Sequence, residues 1–376
     1  MDFRSLSKNY IYPIATLSGS IIGVGFFALP YVAMKAGIWV MLAYFVAITA
    51  IVISLHIIFA EISLKTPDYK RFPGFARFYF GKKGEALALA VSIIGGFGVL
   101  LAYLIVGGEF LTNILQPAFG GNNLGYTFLY FISASIIIFL GIKVISRVEL
   151  WVILALFLSI LFVFISSFSE IRLLNIFSRS GILPSGTNLF LPYGALLFAL
   201  WGVGLIPEVE EMVAGRKQNL KKIIIIATLI PALFYVLFVF LVLGISGANT
   251  SDTALVGLSN FLGNSAITVA MFAGVLATFV AFIAQGFLLE KTLILDLKIK
   301  KWHAFVIACF TPLVLFMLGF KSFIPLISLL GGAMVGVSGI LILLMYKKIG
   351  GKKIIIYPLS FIFVLGIIYG LWFFIF

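Results

Sequence analysis

The chain has 376 residues, of which 62% are hydrophobic and only 10% are charged. A soluble domain carries about 25% charged residues, so this composition excludes a soluble globular protein and places the chain in a lipid bilayer. The net charge is +13. In a membrane protein, basic residues set the orientation of the chain, so this charge gives no reason to expect nucleic-acid binding.

Windows of about 19 residues predict an all-α integral membrane protein with eleven spanning helices. The first apolar run ends without a small-residue cleavage site, so we expect a retained span rather than a signal peptide. The single cysteine, Cys309, lies in an apolar run and is expected to be packing filler. The predicted spans are 11–33, 37–60, 86–114, 126–143, 149–168, 189–212, 223–246, 265–289, 302–319, 323–346 and 354–375.

Lys and Arg residues divide unequally between alternate connections. One side would hold 22 of them, and the other only Lys35, Arg172, Arg179 and Lys321. The positive-inside rule therefore predicts a cytoplasmic N-terminus and, with an odd number of spans, an extracellular C-terminus. We expect a multi-pass protein of the plasma membrane. The sequence leaves the oligomeric state open.

Two connections are long enough to contain structure of their own. The stretch 61–85 mixes aromatic with basic residues, which predicts a short helix at the membrane interface. The stretch 247–264 contains no Lys or Arg and predicts a short helix over 253–262 above an outer vestibule. Simple tethering of neighbouring spans is the alternative for both.

Three glycines, Gly19, Gly23 and Gly25, fall within seven residues near the middle of the first span. Glycine costs up to about 1 kcal/mol at each helical position, so this run favours unwinding. An unwound segment persists in a membrane only where it is buried in protein or lines a polar cavity. Close packing of helices through small residues is the alternative.

The sixth span repeats this pattern. Its residues Gly202-Val203-Gly204 follow Gly23-Val24-Gly25 at an offset of 179, and a proline comes shortly after each run. Paired interruptions of this kind indicate the binding site of an inverted-repeat transporter. We predict one transmembrane transporter domain over 1–376, with a first repeat at 1–168, a second at 189–346 and an additional eleventh helix at 354–375.

The two broken helices supply polar backbone groups where the side chains are apolar. Free N–H groups at Gly23 to Gly25 suit a carboxylate, because the N-terminus of a helix is the positive end of its dipole. Free carbonyls at Gly19 to Ile21 suit an ammonium group. An α-amino acid presents both charges, so the break predicts an amino acid substrate.

Three motifs carry a resemblance to a known family. The run G-S-I-I-G-V-G-F-F-A-L-P resembles the first-helix signature of the amino acid/polyamine/organocation superfamily, and its ending is most similar to the amino acid/auxin permease and aromatic amino acid permease branches. The stretches 101–109 and 198–208 look like the third-helix and sixth-helix motifs of the same branches.

The resemblance implies a LeuT-type fold of five plus five helices with helices 1 and 6 broken. It also implies that Tyr103 closes the site from one side and that Phe198 and Trp201 gate it, with plain packing as the alternative. The substrate-binding residues predicted in this way are Gly19, Ile21, Ile22, Gly23, Val24, Gly25, Tyr103, Phe198, Trp201 and Gly202.

Few ionisable groups lie within the spans. Glu109 is a candidate for proton coupling, with a structural carboxylate near the outer surface as the alternative. Sodium would need oxygen ligands, for which the family fold suggests the hydroxyl of Thr278 in helix 8, with Thr268 as a further candidate, and the backbone carbonyls around Ser18, Gly19 and Ile22 at the first break. We expect His56 and His303 to be solvated or interfacial.

We therefore predict a secondary active transporter that imports an amino acid, most simply by proton symport with alternating access. A sodium-coupled symporter or an exchanger is the alternative. An enzyme is not expected, because the sequence lacks the clustered acids or His ligands that intramembrane catalysis needs, and a channel would need a continuous polar pore. No cofactor or resident metal is predicted beyond H⁺ or Na⁺ as the coupling ion.

Overall fold

The computed structural model describes residues 10–67, 71–141, 145–177, 188–213, 217–259, 261–262 and 264–375. Residues 1–9 and Arg179, which the predicted orientation uses, lie outside this set. The regular elements of the described residues are all helical, in line with the composition.

Nine of the eleven predicted spans coincide with apolar helices or a bent pair long enough to cross a membrane, and the fifth and ninth coincide with shorter apolar helices, Leu154–Ser166 and Lys301–Met317. The described residues contain eight helices long and apolar enough to cross a membrane, one further bent pair, and two shorter apolar segments. In chain order they are α1 (Tyr12–Ile21 and Val24–Ala36), α2 (Ile38–Lys65), α3 (Phe72–Phe119), α4 (Asn123–Leu140), α5 (Ile145–Ser166), α6 (Asn188–Met212), α7 (Leu220–Ser246), α8 (Asn264–Leu295), α9 (Lys301–Met317), α10 (Phe323–Lys348) and α11 (Lys353–Ile375).

Both predicted breaks are present, in α1 and in α6. Each of these helices starts with ten helical residues that carry a proline in the first turn, Pro13 in α1 and Pro192 in α6. A two-residue break and a 3₁₀ segment follow, over Val24–Ala28 in α1 and Val203–Leu205 in α6. The α1 halves meet at 50°. The offset of 179 therefore relates the prolines as well as the glycines, which strengthens the repeat.

A third irregularity was not predicted. Residues Leu330–Met334 of α10 form a π-helical segment. A Cβ added at Gly331 would lie 1.8 Å from the carbonyl oxygen of Gly194 in α6, so only glycine permits this approach of the two backbones. Short π-helical segments are frequent at functional sites, and this one lies beside the α6 break.

The two long connections agree with their predicted helices to different degrees. Residues from Phe72 to Phe80 are helical, as predicted, and the chain turns into the rest of α3 at Gly81, whose φ is +66°. On the opposite side the helix is shorter than expected and covers only Leu255–Leu258.

Side-chain contacts confirm that the connections alternate between two sides. Arg71, before α3, pairs with Asp296, after α8, at 3.1 Å. We call the side of these connections the basic side. On the other side, the amide of Asn175 donates to the carbonyl of Gly244 at the end of α7 at 2.9 Å. Which side faces the cytoplasm remains a prediction.

The helices differ greatly in how much protein surrounds them. The most apolar window of α10 is 78% buried and that of α6 is 67% buried, whereas that of α11 is only 22% buried. The two broken helices and α10 therefore form the centre, and α11 lies at the lipid-facing periphery. Cys309 in α9 is buried.

Candidate functional site

A cavity of about 340 Å³ lies where the breaks of α1 and α6 meet α3, α8 and α10. It extends from the breaks to Phe72, the first residue of α3, and so reaches toward the basic side. We call it the larger cavity. Its polar side chains, apart from Tyr103 and Trp201, are Ser20, Ser92, Gln285 and Ser338.

Aromatic side chains contact the α1 break. The hydroxyl of Tyr103 lies 3.2 Å from the point where a Cβ of Gly23 would be. A Cβ at Gly25 would lie 2.8 Å from the Phe198 ring and 3.0 Å from the Cα of Ala199. Glycine at these positions therefore allows the α1 backbone to approach α3 and α6 closely.

The structure brings most of the predicted substrate-binding residues together. Seven of them line the larger cavity, namely Ile21, Gly23, Val24, Gly25, Tyr103, Phe198 and Trp201. Gly19 and Ile22 line a smaller cavity beside it. Gly202 is buried against α1 instead, because a Cβ there would lie 2.6 Å from Cγ1 of Ile21.

The backbone at the breaks is partly engaged by side chains. The N–H groups of Val24 and Gly25 open the 3₁₀ segment, where a helix has no internal acceptors for them. The carbonyl of Ile21 accepts from the N–H of Gly23 at 2.9 Å and from the hydroxyl of Tyr235 at 2.9 Å. Both lone pairs of that carbonyl are thus used, so a substrate ammonium reaches it only if a partner is displaced.

Tyr235 joins the two broken helices from α7. Its hydroxyl also lies 3.1 Å from the carbonyl of Ala199, near the end of the first half of α6. The tyrosine is fully buried. Sequence reasoning missed it because its partners lie 214 and 36 residues away in the chain.

His56 is the other missed residue, and the expectation that it is solvated or interfacial was wrong. Its side chain is fully buried between α2, α6 and α7. Nε2 accepts from the N–H of Gly202 at 3.2 Å, and Nδ1 lies 3.2 Å from Oγ1 of Thr228. His303 is exposed, as expected.

The smaller cavity, of about 40 Å³, lies between the α1 break, α5 and α8 and has room for a small cation or a water. Thr278 lines it, and its hydroxyl donates within its own helix, to the carbonyls of Gly274 and Val275. Ser18 points elsewhere, because its hydroxyl donates to the carbonyl of Ala227 in α7 at 3.0 Å. The structure therefore does not bring the Ser18 and Thr278 hydroxyls together.

Glu109 lines neither of these cavities. It lies further along α3, away from the basic side, where Asp252 and Thr253 of the α7–α8 connection are its electrostatic neighbours. Lys35 acts on Asp252 in turn. This cluster places the carboxylate of Glu109 at the end of the molecule opposite the basic side, which the positive-inside rule predicts to be the outer end.

Four buried phenylalanines separate the larger cavity from that end. Phe27 contacts Phe110 with ring centroids 5.0 Å apart, and Phe26 contacts Phe238 at 5.0 Å. Phe26 and Phe27 also contact each other, at 4.1 Å. We call these four side chains the outer plug.

Two discontinuous helices around a central cavity are the architecture of the LeuT-type transporter fold. Residues 7–257 match the tryptophan/tyrosine permease family. The chain belongs to this family, which fits the aromatic branch suggested by the motifs. The protein is therefore a transporter and not an enzyme.

One relative and several solved structures are also similar to this chain. "Tyrosine-specific transport system 1" of Haemophilus influenzae is 25% identical over 224 residues, which are 59% of this chain and 54% of the relative. The chain thus spans about half the length of the curated relative it matches.

The structural neighbours have lower sequence identity, so their similarity shows only that they share the fold of this chain. The inward-facing structure of Mhp1 has a TM-score of 0.64 and 17% identity, and covers 96% of this chain and 88% of Mhp1. MhsT in complex with L-phenylalanine has a TM-score of 0.54, 15% identity and coverage of 96% and 97%. A manganese transporter of Eremococcus coleocola has a TM-score of 0.63, 11% identity and coverage of 99% and 86%.

Proposed function

We propose that the chain is a secondary active importer of aromatic amino acids, tyrosine and tryptophan above all, driven by proton symport. The observation that carries this proposal is the larger cavity, because it joins two helix breaks to four aromatic side chains, Phe72, Tyr103, Phe198 and Trp201. Its volume of about 340 Å³ is at the lower end for ligand pockets, which suits an amino acid. The family and the tyrosine-specific relative support the same substrate class.

Each part of an aromatic amino acid has a matching group in the cavity. The N–H groups of Val24 and Gly25 bind the carboxylate at the positive end of a helix dipole. The ammonium lies near the carbonyl ends of the first halves of α1 and α6, where the dipoles are negative. The ring packs against Phe198 and Trp201 in offset or edge contacts.

The polar side chains deeper in the cavity suit the ring substituent. Gln285 lies against Gly96 of α3, since a Cβ there would be 3.3 Å from Nε2 of Gln285. An amide carries both a donor and an acceptor, so it can pair with a phenol hydroxyl or an indole N–H. A non-aromatic amino acid leaves this group unpaired.

The shape of the cavity supports alternating access. The larger cavity extends to the basic side, and the outer plug closes the other side. If the basic side is cytoplasmic, as the positive-inside rule predicts, this conformation releases substrate into the cell. Separation of the plug and closure near Phe72 would then give the outward-facing state.

Protons are the proposed coupling ion, with Glu109 as the group that loads from outside. Its electrostatic neighbour Asp252 is a second acidic side chain at this end of the molecule, so two carboxyl groups are available there to take up a proton. Sodium coupling through the smaller cavity and Thr278 is the alternative, and obligate exchange without a coupling ion is another. The intracavity hydroxyl of Thr278 alone supplies too few oxygens for a hard cation.

The test is uptake of labelled tyrosine and tryptophan by the full-length protein in proteoliposomes, with proton and sodium gradients imposed separately. We expect saturable accumulation of both substrates under an inward proton gradient, and no competition from leucine. Accumulation that requires sodium would overturn proton coupling. Flux that does not saturate would overturn the carrier itself.

A further inference from the structure

His56 is a buried titratable side chain near the substrate site that the proposed function leaves unused. Its ring is enclosed by protein on all sides and lies 6.1 Å, centroid to centroid, from the ring of Trp201. Trp201 lines the larger cavity, so a single side chain separates this imidazole from the cavity.

The hydrogen bonds fix the protonation state of His56 in this conformation. The N–H of Gly202 can donate only to a nitrogen without a proton, so Nε2 carries none. The hydroxyl of Thr228 donates to the carbonyl of Ile224 at 2.9 Å and is therefore free to accept from Nδ1–H. The imidazole is neutral, with its proton on Nδ1.

Among the described residues, His56 makes no ion pair with the charged and titratable groups of the helices packed around it, and its hydrogen-bond partners are Gly202 and Thr228. α1 contributes none between Pro13 and Pro30. On α2, α6, α7 and α10 these groups are Tyr44, Glu61, Lys65, Tyr193, Glu208, Glu210, Glu211, Lys221, Lys222, Tyr235, Tyr346, Lys347 and Lys348.

We propose that Nε2 of His56 binds the transported proton and that this protonation releases the N–H of Gly202, so that the α6 break responds to the proton. Two N–H donors cannot share the 3.2 Å contact between Nε2 and Gly202. The break must therefore shift when the proton arrives. The new Nε2–H donates instead to a carbonyl at the end of the first α6 half, which terminates at Leu200, where the helix dipole favours a cation.

The movement of Gly202 reaches the substrate site directly. Gly202 packs against Ile21 and Leu17 of α1. Ile21 ends the first half of α1 and lines the larger cavity. Proton binding at His56 and substrate binding at the α1 break thus act on the same two backbones, which is the condition for symport. This inference rests on the proposed function.

Only two histidines occur in the chain, so the experiment has a matched control. His56→Gln keeps an oxygen that accepts from Gly202 but cannot titrate, and His303→Gln changes an exposed histidine. In proteoliposomes with labelled tyrosine, we expect His56→Gln to lower proton-driven accumulation at least about tenfold, while exchange of internal for external tyrosine stays within about threefold. His303→Gln should change neither.

A second measurement covers the case in which His56→Gln does not fold. The wild-type protein labelled with ¹⁵N-histidine has two imidazole signals, and the His303→Gln spectrum assigns them. We expect the His56 signal to change from the Nδ1–H form to imidazolium on acidification, at a pH that added tyrosine shifts.

The contrary results are equally specific. Accumulation by His56→Gln at the wild-type level would overturn the proposal, and so would a His56 signal that stays neutral over about pH 5 to 8 with or without tyrosine. Wild-type protein that accumulates no aromatic amino acid would instead contradict the proposed function, and this inference with it.

Discussion

Gly25 and Gly204 occupy equivalent positions in the two breaks but have different surroundings. A Cβ at Gly25 would meet the ring of Phe198 at 2.8 Å and the backbone of Ala199 at 3.0 Å. A Cβ at Gly204 would have no atom within 4 Å, although Gly204 lines the larger cavity. At the residue scale, replacing glycine by alanine therefore creates a steric clash at Gly25 and none with the protein at Gly204.

We expect Gly25→Ala to lower tyrosine uptake at least about tenfold while the protein still inserts, because Phe198 and the α6 backbone must move. Gly204→Ala should keep uptake within about threefold of the wild type. Uptake and surface abundance are measured together. Near wild-type transport by Gly25→Ala would remove the carboxylate site from the α1 break.

At the scale of helices, Tyr235 ties the first half of α1 to the first half of α6. Its hydroxyl lies within hydrogen-bond distance of both helix ends, whereas the hydroxyl of the equally buried Tyr130 reaches no helix end and has the Thr278 side chain of α8 beside it. The two buried tyrosines can therefore be compared, because only the Tyr235 hydroxyl joins the two broken helices.

Tyr235→Phe should destabilise the protein by about 1 kcal/mol, the usual net contribution of a hydrogen bond, and lower its melting temperature in detergent. Tyr130→Phe should lower the melting temperature less, because its hydroxyl has the Thr278 side chain as a neighbour rather than two helix-end carbonyls. Equal melting temperatures for the two variants would show that the tie adds nothing to stability.

Some features of the helices could be predicted from the sequence and others could not. The eleven spans were predictable because a bilayer demands about 20 apolar residues for each. The breaks were predictable because Gly and Pro mark them. The α10 irregularity was not, since Gly331 and Gly332 sit in an unbroken apolar run that equally suits close packing.

The contacts of His56 were not predictable either. Its partners, Gly202 and Thr228, are 146 and 172 residues away, and only the packing of α2 against α6 and α7 brings them together. By contrast, the motif around Tyr103 placed that residue correctly beside Gly23. Local patterns thus located the site, and tertiary packing supplied its polar partners.

At the scale of the whole molecule, the proposed proton route has an outer and an inner group. Glu109 is at the outer end, and His56 lies beside the α6 break. A loading group speeds the arrival of protons, whereas the group at the break links the proton to the conformation. The two roles predict different responses to external acid.

We expect Glu109→Gln to lower proton-driven accumulation of tyrosine about tenfold and to spare exchange, with partial recovery when the outside is made more acidic. Recovery follows because protons then reach the inner group without the carboxylate. Initial rates at several external pH values measure this. Accumulation that is unchanged in Glu109→Gln would dismiss this carboxylate from the route.

Sodium coupling has its own signature in the same assay. Thr278→Ala would raise the sodium concentration needed for half-maximal uptake, because it removes an oxygen from the smaller cavity. Under proton coupling, this variant should show no dependence on sodium at all.

The burial of Cys309 has a practical consequence for labelling chemistry. A thiol enclosed in α9 and absent from the walls of both cavities offers no access to a bulky, membrane-impermeant maleimide. The wild-type chain therefore gives no labelling signal of its own, and Cys309 need not be replaced before a new cysteine is introduced. A single Ser338→Cys substitution in the wall of the larger cavity would report, by the side from which it reacts, which face of the membrane the cavity serves.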